Sequence, residues 1–246
     1  MKPWWIQSWG LFQREVRRYC KVPLQTLGAP LMNTSLYLLI FGFGLGRAIG
    51  DIEGTSYMAF LIPGLIAMSL IKGSFENSTS SLVSAKYTNE LQDLRVAPLT
   101  GHQICLAKGL ASLSRGLLVG SITYLTSQLL LILTGYPLVG IDSLFSLLFF
   151  ILLGGMTFSC LGIAFGMWAK NFEQISALSL LILLPMTYLG GLFFSIDSLN
   201  SLWKTLAQCN PLYYVITGIR HAILGGELFS YALILVAYLG ISYSMA

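Results

Sequence analysis

The sequence contains little charge. Of its 246 residues, 10% are charged and 55% are hydrophobic, whereas soluble domains carry about 25% charged residues. So few polar side chains cannot cover a water-exposed surface, and we therefore expect a protein embedded in membrane lipid. Nucleic acid is not expected as a partner, because nucleic-acid-binding proteins cluster basic residues on a polar face and here the basic residues lie at the ends of apolar runs.

Motifs that carry chemistry are also missing. No G-x-x-x-x-G-K-[ST] phosphate loop occurs in the chain. The two histidines, His102 and His221, lie far apart, and no group of His, Cys, Asp and Glu has the spacing of metal ligands. Since no nucleophile is paired with a base either, we expect no catalytic residue, no metal site and no cofactor in this chain.

Cysteine is scarce and unpaired in its spacing. Cys20, Cys105, Cys160 and Cys209 form no C-x-x-C motif, so we expect no disulfide framework. Residues 1–23 also lack the apolar core of a cleavable signal peptide. We expect the chain to keep its N-terminal segment.

Long apolar runs take the place of these features. About 20 apolar residues are needed to cross a hydrocarbon core of about 30 Å, and six runs approach or exceed this length. They predict an all-α membrane protein with a single transmembrane domain over residues 1–246. The predicted spans are residues 27–46, 57–84, 104–133, 144–168, 175–194 and 230–246. Because the last span is short and no basic residue follows it, we expect either a truncated chain or an unusual last span.

Lysine and arginine are distributed unequally between the two sides of this topology. Nine lie on the side of residues 1–23, 85–108 and 170, and three lie on the other side. The positive-inside rule therefore places the N-terminus and the first side in the cytoplasm. The nine are Lys2, Arg14, Arg17, Arg18, Lys21, Lys86, Arg95, Lys108 and Lys170, and the three are Arg47, Lys204 and Arg220.

Residues 4–20 form an amphipathic pattern before the first span. Trp4, Trp9 and Phe12 fall on a helical stripe, and Arg14 and Arg18 follow them. Tryptophan and arginine favour the headgroup region of a membrane, so we predict an interfacial helix. A disordered tail is the alternative.

Two ionisable residues interrupt the second span. Lys72 and Glu76 are four residues apart and share one helix face. Ionisable groups in a span face a cavity or pair with one another, so this pair either lines a transport path or subunit interface, or neutralises itself near a membrane boundary. Tyr37 and Phe41 of the first span are further candidates for the path, with packing against lipid or other helices as the alternative.

Residues 193–224 lie between two apolar runs but are not a plain loop. They contain two amphipathic pieces hinged at Asn210-Pro211. Non-helical backbone at membrane depth is tolerated only where protein or a water-filled cavity surrounds it. We therefore predict re-entrant helices on the outer side, at the mouth of a pathway. The predicted gate residues are Phe193, Phe194, Asn210, Pro211, Tyr213 and Arg220.

Residues 86–99 are the centre of the most polar segment of the chain. Leu91 and Leu94 lie beside Glu90, Asp93 and Arg95, which predicts a short amphipathic helix that Pro98 ends. A short surface helix between two spans suits contact with a separate soluble protein. An ordinary connecting loop is the alternative.

Five stretches together resemble the ABC-2 type permeases, the membrane subunits of a class of bacterial ATP-binding-cassette exporters. The resemblance covers nearly the whole chain. The stretches are SYMAFLIPGLIAMS (56–69), NELQDLRVAPLTGHQI (89–104), SRGLLVG (114–120), LPMTYLGGLFFSIDSL (184–199) and NPLYYVITGIRHAILG (210–225).

The resemblance implies a set of partners. Two copies of a separate ATPase subunit would bind ATP and Mg, and the permease would pair with itself in the bacterial inner membrane. The path would run between the two copies, lined by spans one, two and five. The segment over residues 86–99 would be the coupling helix that docks on the ATPase. Its implied docking residues are Glu90, Asp93, Leu94, Arg95, Pro98 and Leu99.

The resemblance leaves the cargo undefined. Related permeases are associated with drugs, lipids and polysaccharides, and the aromatic residues Tyr37, Phe41 and Phe43, if they line the path, would suit an amphipathic or sugar-bearing cargo. The family's basic tail after span six is absent here, which leaves the C-terminal contacts open. The two alternatives to an exporter are an ion-coupled secondary transporter, which usually shows an internal repeat, and a membrane scaffold that transports nothing.

Overall fold

The structure is a computed structural model that describes residues 4–52, 54–97, 99–226 and 229–246. Its described part consists of helices and one small antiparallel hairpin, in which Asp51–Ile52 pairs with Thr55–Ser56. The longer helices are α1 (Trp4–Cys20), α2 (Leu24–Leu45), α3 (Tyr57–Tyr87), α4 (Glu90–Val96), α5 (Gly101–Thr134), α6 (Leu144–Trp168), α7 (Phe172–Leu189), α8 (Ser201–Gln208), α9 (Pro211–Leu224) and α10 (Phe229–Met245), and single helical turns cover Gly46–Ile49 and Ile196–Ser198.

Among the described residues, five helices are long and apolar enough to cross a membrane: α2, α3, α5, α6 and α7. The prediction of an all-α membrane protein agrees with this. The sixth predicted span corresponds to α10, whose apolar part over Tyr231–Met245 is shorter than the other five.

Local chemistry explains where several helices begin and end. Helix α5 begins at Gly101, because Thr100 and Gln103 form a reciprocal capping box. Helix α7 ends at Leu189, before the predicted end of span five at residue 194. The chain turns there through Gly191, whose φ of 77° is accessible to glycine at no steric cost.

Helices α3, α5 and α6 form the packed core. Gly116 of α5 lies against α3, where an added Cβ would approach the Leu70 carbonyl oxygen to 2.6 Å. Gly162 of α6 lies against α3 in the same way, with an added Cβ 2.7 Å from the Phe75 carbonyl oxygen. Small residues allow such close approach of helices in lipid. The same packing brings Cys105 and Cys160 into one buried cluster.

Helices α2 and α7 are packed more loosely and are less regular. In the most apolar 18-residue stretch of each helix, 78% of the residues of α3 are buried, compared with 17% in α2 and 11% in α7. Both loose helices contain π-helical turns, over Leu24–Gly28 and Leu38–Leu45 in α2 and over Ser179–Leu183 in α7. Helix α3, in contrast, continues as an α-helix through Pro63, although a proline inside a helix removes one backbone hydrogen bond.

Lys86 fixes the end of the core. Its Nζ donates hydrogen bonds to the carbonyl oxygens of Gly166, Met167 and Ala169, at 3.0, 2.6 and 2.6 Å. These carbonyl groups lie at the C-terminal end of α6, which a cation stabilises through the helix dipole. The last turn of α3 is thereby held against the end of α6.

Candidate functional site

A cavity of about 480 Å³ lies between the packed core and the two loose helices. Its walls come from α2, α3 and α7, with Arg115 of α5 and Leu212 of α9 at its edge. A smaller cavity of about 180 Å³ adjoins it between α2, α3 and α5. The two share Gln25, Tyr37, Met68, Lys72, Glu76 and Arg115.

Three charged side chains line this cavity. Lys72 Nζ lies 3.9 Å from Glu76 Oε1, and both side chains are partly exposed. Arg115 is 8% exposed. The Lys72–Glu76 pair therefore faces a cavity. Asn77, Ser78 and Ser81, which follow the pair on α3, are buried within the protein, so their polarity does not mark a boundary with water.

Aromatic rings gather at one end of the cavity. The ring of Phe193 lies 4.6 Å from that of Phe41, 5.8 Å from that of Tyr37 and 5.6 Å from that of Tyr188, measured between centroids. Tyr57 Oη donates a hydrogen bond of 3.1 Å to the Phe193 carbonyl oxygen. Two residues predicted for the path and one predicted for the gate thus lie in one cluster.

The Asn210-Pro211 hinge is held against the end of α7. Asn210 Nδ2 donates a hydrogen bond of 2.6 Å to the Met186 carbonyl oxygen, and Asn210 Oδ1 accepts one of 3.0 Å from the Leu212 backbone N–H. Pro211 occupies the first position of α9, where its missing N–H costs no helix hydrogen bond.

The other gate residues are spread around this hinge. Arg220 is buried, donates a hydrogen bond of 2.8 Å to the Gly191 carbonyl oxygen and stacks 3.7 Å over the Phe60 ring. Tyr213 packs against Tyr214 and Tyr231. Phe194 follows Phe193 in the chain and is half-buried. Among the described residues its ring makes no contact with the rings of the aromatic cluster.

A buried ion network joins α1 to the core. Lys108 Nζ lies 2.6 Å from Glu15 Oε1, and their side chains are 1% and 4% exposed. Ser81 Oγ donates to the same carboxylate at 2.8 Å, and Arg18 Nε donates to its other oxygen at 3.0 Å. Burial alone would raise the pKa of Glu15, but the charges of Lys108 and Arg18 and these hydrogen bonds lower it below its usual value.

Arg18 extends the network to α3. Its Nη2 donates to the backbone oxygen of Asn77 at 3.0 Å and to the Asn77 side-chain oxygen at 2.9 Å, and Nη1 donates to Ser80 Oγ at 3.4 Å. Asn77 Nδ2 in turn donates to Ser112 Oγ of α5 at 3.0 Å. Arg18, which the sequence assigns to lipid headgroups, is therefore bound within the protein.

Helix α4 is attached to α1 and α5 on one face. Arg14 of α1 forms an ion pair with Glu90, and Leu94 is buried in a cluster with Leu11 and Ala107 that Leu99 also contacts. On the other face Asp93 is exposed, and Val96 is 85% exposed. The side chain of Arg95 and all of Pro98 lie outside the described residues.

Sequence reasoning overlooked the partners of several of these groups. Glu15 and Lys108 are 93 residues apart, and no local pattern connects them. Arg115 is a charge within an otherwise apolar run, which is itself a signal of function. Its place beside Lys72 and Glu76 depends on how α3 and α5 pack.

Comparisons of the sequence with known proteins agree on one protein family. A model of the ABC-2 type transporter family matches residues 6–224. Inner membrane transport permease YadH of Escherichia coli (strain K12) is 35% identical over 225 residues, which cover 92% of this chain and 86% of the relative. Nodulation protein J of Sinorhizobium fredii (strain NBRC 101917 / NGR234) is 28% identical over 227 residues, covering 90% and 82%. Nodulation protein J of Rhizobium meliloti (strain 1021) is 25% identical over 233 residues, covering 91% and 82%.

Proposed function

The chain belongs to the ABC-2 type transporter family, and from this premise we propose that it is the permease subunit of an ATP-driven exporter. As a family member it is a multi-pass subunit of the inner membrane and not itself an enzyme. The exporter activity, the separate ATPase that binds ATP and Mg, and the pairing of two permease copies make up the proposal.

The proposed topology has six spans with the N-terminus in the cytoplasm. Helix α10 supports the sixth span, because it packs along α6 and contacts segments that this topology assigns to both sides. Near its N-terminal end Tyr231 packs against His221 of α9. In its middle Tyr238 Oη donates to the Cys209 carbonyl oxygen at 2.8 Å, and near its C-terminal end Tyr243 Oη lies 3.0 Å from His102 Nδ1 at the start of α5. Its 17 residues extend about 25 Å, close to the hydrocarbon thickness.

In this topology α4 and α1 lie on the cytoplasmic side, and α8 and α9 are re-entrant on the outer side. The observation that carries the ATPase partnership is the two-faced arrangement of α4. One face is fixed to the permease by the Arg14–Glu90 ion pair and the Leu94 contacts. The other face presents Asp93 and Val96 to the outside. A force on α4 would therefore pass to α1 and α5 rather than be lost in a mobile loop.

The cavity between α2, α3 and α7 is the proposed path. It combines the Lys72–Glu76 pair with the aromatic cluster of Tyr37, Phe41 and Phe193. The low burial of α2 and α7 leaves a wide apolar face beside it, and we assign this face to a second copy of the chain. A charged interior with aromatic walls suits an amphipathic cargo.

Asp93 provides the test of the ATPase partnership. The chain would be purified with an ABC ATPase and reconstituted in lipid nanodiscs, and ATP hydrolysis would be measured with and without the permease. We expect Asp93→Lys to weaken binding of the ATPase by about tenfold or more, because an unfavourable charge at an interface costs several kcal/mol. Stimulation of hydrolysis should fall with it.

Asp142→Lys is the matched control, since Asp142 is an exposed acid in the loop between α5 and α6, on the outer side of the proposed topology. It should leave stimulation unchanged. Equal effects of the two variants, or stimulation that survives Asp93→Lys, would contradict the docking role of α4. Glu90 is less suitable for this test, because reversing its charge also breaks its ion pair with Arg14.

A further inference from the structure

The cavity between α2, α3, α5 and α7 carries an excess of positive charge. Its charged lining residues are Lys72, Glu76 and Arg115. When all three are ionised their sum is +1, because one carboxylate faces two cations. Glu76 also forms an ion pair with Lys72 on its own helix at 3.9 Å, so its single negative charge is divided between Lys72 and Arg115.

Arg115 is buried and has fewer partners than a buried guanidinium requires: the Glu76 carboxylate attracts it, but its Nε–H is unsatisfied within the described part of the chain. The residue is 8% exposed. None of the six ion pairs formed by the described residues includes it. Arginine keeps its charge in proteins, and a buried charge whose hydrogen bonds are incomplete is unfavourable. Ser179 Oγ of α7 lines the same cavity and is likewise buried without a partner in this part of the structure.

Arg18 shows that this fold does satisfy an arginine where only structure is required. Its guanidinium contacts Glu15, Asn77 and Ser80. Arg115 lies in the same bundle, yet it is directed to a cavity and has no such set of partners. The contrast indicates that the guanidinium of Arg115 binds a molecule that enters the cavity.

The chemistry around Arg115 defines what would enter. A planar guanidinium matches the oxygen atoms of a phosphate or carboxylate, and Lys72, Gln25 and Asn33 place further donors around the same space. Met68 and the rings of Tyr37 and Tyr188 supply apolar walls. A volume of about 480 Å³ suits a headgroup, and the aromatic cluster at one end of the cavity suits the beginning of an apolar tail.

We propose that Arg115, supported by Lys72 and Ser179, binds the anionic headgroup, a phosphate or a carboxylate, of an amphipathic molecule in this cavity. The inference rests on the proposed function, since it names a substrate class for the same path. Two sources share this chemistry, namely an anionic membrane lipid and a separate cargo with an acidic group.

Binding to the purified full-length chain tests the proposal. The probes are phosphatidic acid, phosphatidylcholine with the same acyl chains, and a short-chain alkyl phosphate, each titrated while native mass spectrometry counts bound molecules. We expect saturable binding of the two phosphate monoesters and at least about tenfold weaker binding of phosphatidylcholine. Arg115→Gln should weaken binding of the phosphate monoesters about tenfold or more, because charge-assisted hydrogen bonds are lost. Arg115→Lys should retain part of it.

The control is Arg17→Gln, which removes the same charge from an exposed position of α1 and should change affinity less than about twofold. Thermal stability without ligand gives a second readout. If Arg115 serves binding, Arg115→Gln should melt no lower than the parent chain, whereas loss of a structural arginine would lower the melting temperature. A variant that does not fold, a lower melting temperature, or unchanged binding would each overturn the proposal.

The probes separate the sources. Tighter binding of phosphatidic acid favours a membrane lipid, and tighter binding of the alkyl phosphate favours a separate cargo. Equal binding of phosphatidylcholine would overturn the anionic assignment. A failure of the proposed function can be distinguished from a failure of the ligand assignment. The proposed function predicts that the Arg115 variant still stimulates an ABC ATPase. If the parent chain stimulated the ATPase but bound no anion, only the ligand assignment would be wrong.

Discussion

The core of α3, α5 and α6 and the walls α2 and α7 are built on different packing principles. In the core, Gly116 and Gly162 bring backbones so close that a methyl group would meet a carbonyl oxygen at 2.6 or 2.7 Å. In the walls, Gly44 of α2 has no atom other than the Leu39 carbonyl oxygen, at 3.5 Å, near such a methyl group. A methyl group at Gly42 of α2 would lie 2.5 Å from Met58 Sδ, but that atom belongs to a flexible side chain. The core helices are therefore in backbone contact, whereas α2 meets the core through side chains and has room at Gly44.

The backbone hydrogen bonding shows the same contrast. Helix α3 remains α-helical over its 31 residues even though it contains Pro63. Helices α2 and α7 change between α- and π-helical turns along their length. Isolated π-helical turns often occur at functional sites. The cavity lies where a rigid surface faces two adjustable ones, which is the arrangement needed if the walls move and the core does not.

The largest expected effect separates two lysines of the core helices, one buried against α1 and one facing the cavity toward the walls. Lys108→Met removes the partner of a buried carboxylate, and leaving Glu15 uncompensated should lower the free energy of unfolding by about 3–5 kcal/mol. Lys72→Met removes a lysine that is 48% exposed in the cavity, and should cost less than about 1 kcal/mol. Thermal unfolding in one detergent measures both variants.

The double variant Glu15→Gln/Lys108→Met is the internal control. It should recover part of the loss, because no charge remains buried at the Glu15–Lys108 pair. A Lys108→Met variant as stable as Lys72→Met would show that α1 is not locked to the core. The buried side of the core would then be no more sensitive to loss of a charge than the side that faces the cavity.

A glycine pair gives the next effect in size. Gly116→Ala should destabilise by about 1–3 kcal/mol, because the added methyl overlaps Ser74 and the Leu70 carbonyl of α3. Gly44→Ala should change stability by less than about 1 kcal/mol, since it meets no close atom and alanine favours helices. Melting temperatures of the two variants under identical conditions decide this. Equal losses would mean that the walls are packed as tightly as the core.

The sequence predicts the regular parts of this fold because they depend on local properties. Apolar length indicates where long helices lie, and Thr100, Gly191 and Pro211 mark ends and turns through their own conformational preferences. The Asn210 hinge is visible for the same reason, since an Asx side chain caps the helix that follows it.

The remaining features depend on contacts between distant segments. Glu90 looks like a docking residue in the sequence, but its carboxylate meets Arg14, 76 residues away. Leu94 looks like part of an exposed helix, but Leu11 covers it. The unsatisfied Nε–H of Arg115 among the described residues depends on a cavity, and a cavity is defined only when four helices are placed together.

The smallest effect should come from Pro185, which follows the π-helical turn Ser179–Leu183 of α7. Proline has no N–H to donate to the preceding turn, and the π-helical turn accommodates this gap. Pro185→Ala would restore a hydrogen bond of about 1 kcal/mol but also free the unfolded chain by a similar amount. The free energy of unfolding should therefore change by less than about 1 kcal/mol.

The informative readout for Pro185→Ala is hydrogen exchange rather than stability. Amides over Ser179–Leu183 should exchange more slowly, because the added N–H allows a regular α-helix to continue through this segment, while amides of α3 should not change. Pro63→Ala is the matched control, since the turn around Pro63 is already α-helical and buried. If the two proline variants altered exchange equally, the irregularity of α7 would have another cause than Pro185, and the wall would owe its adjustability to its low burial.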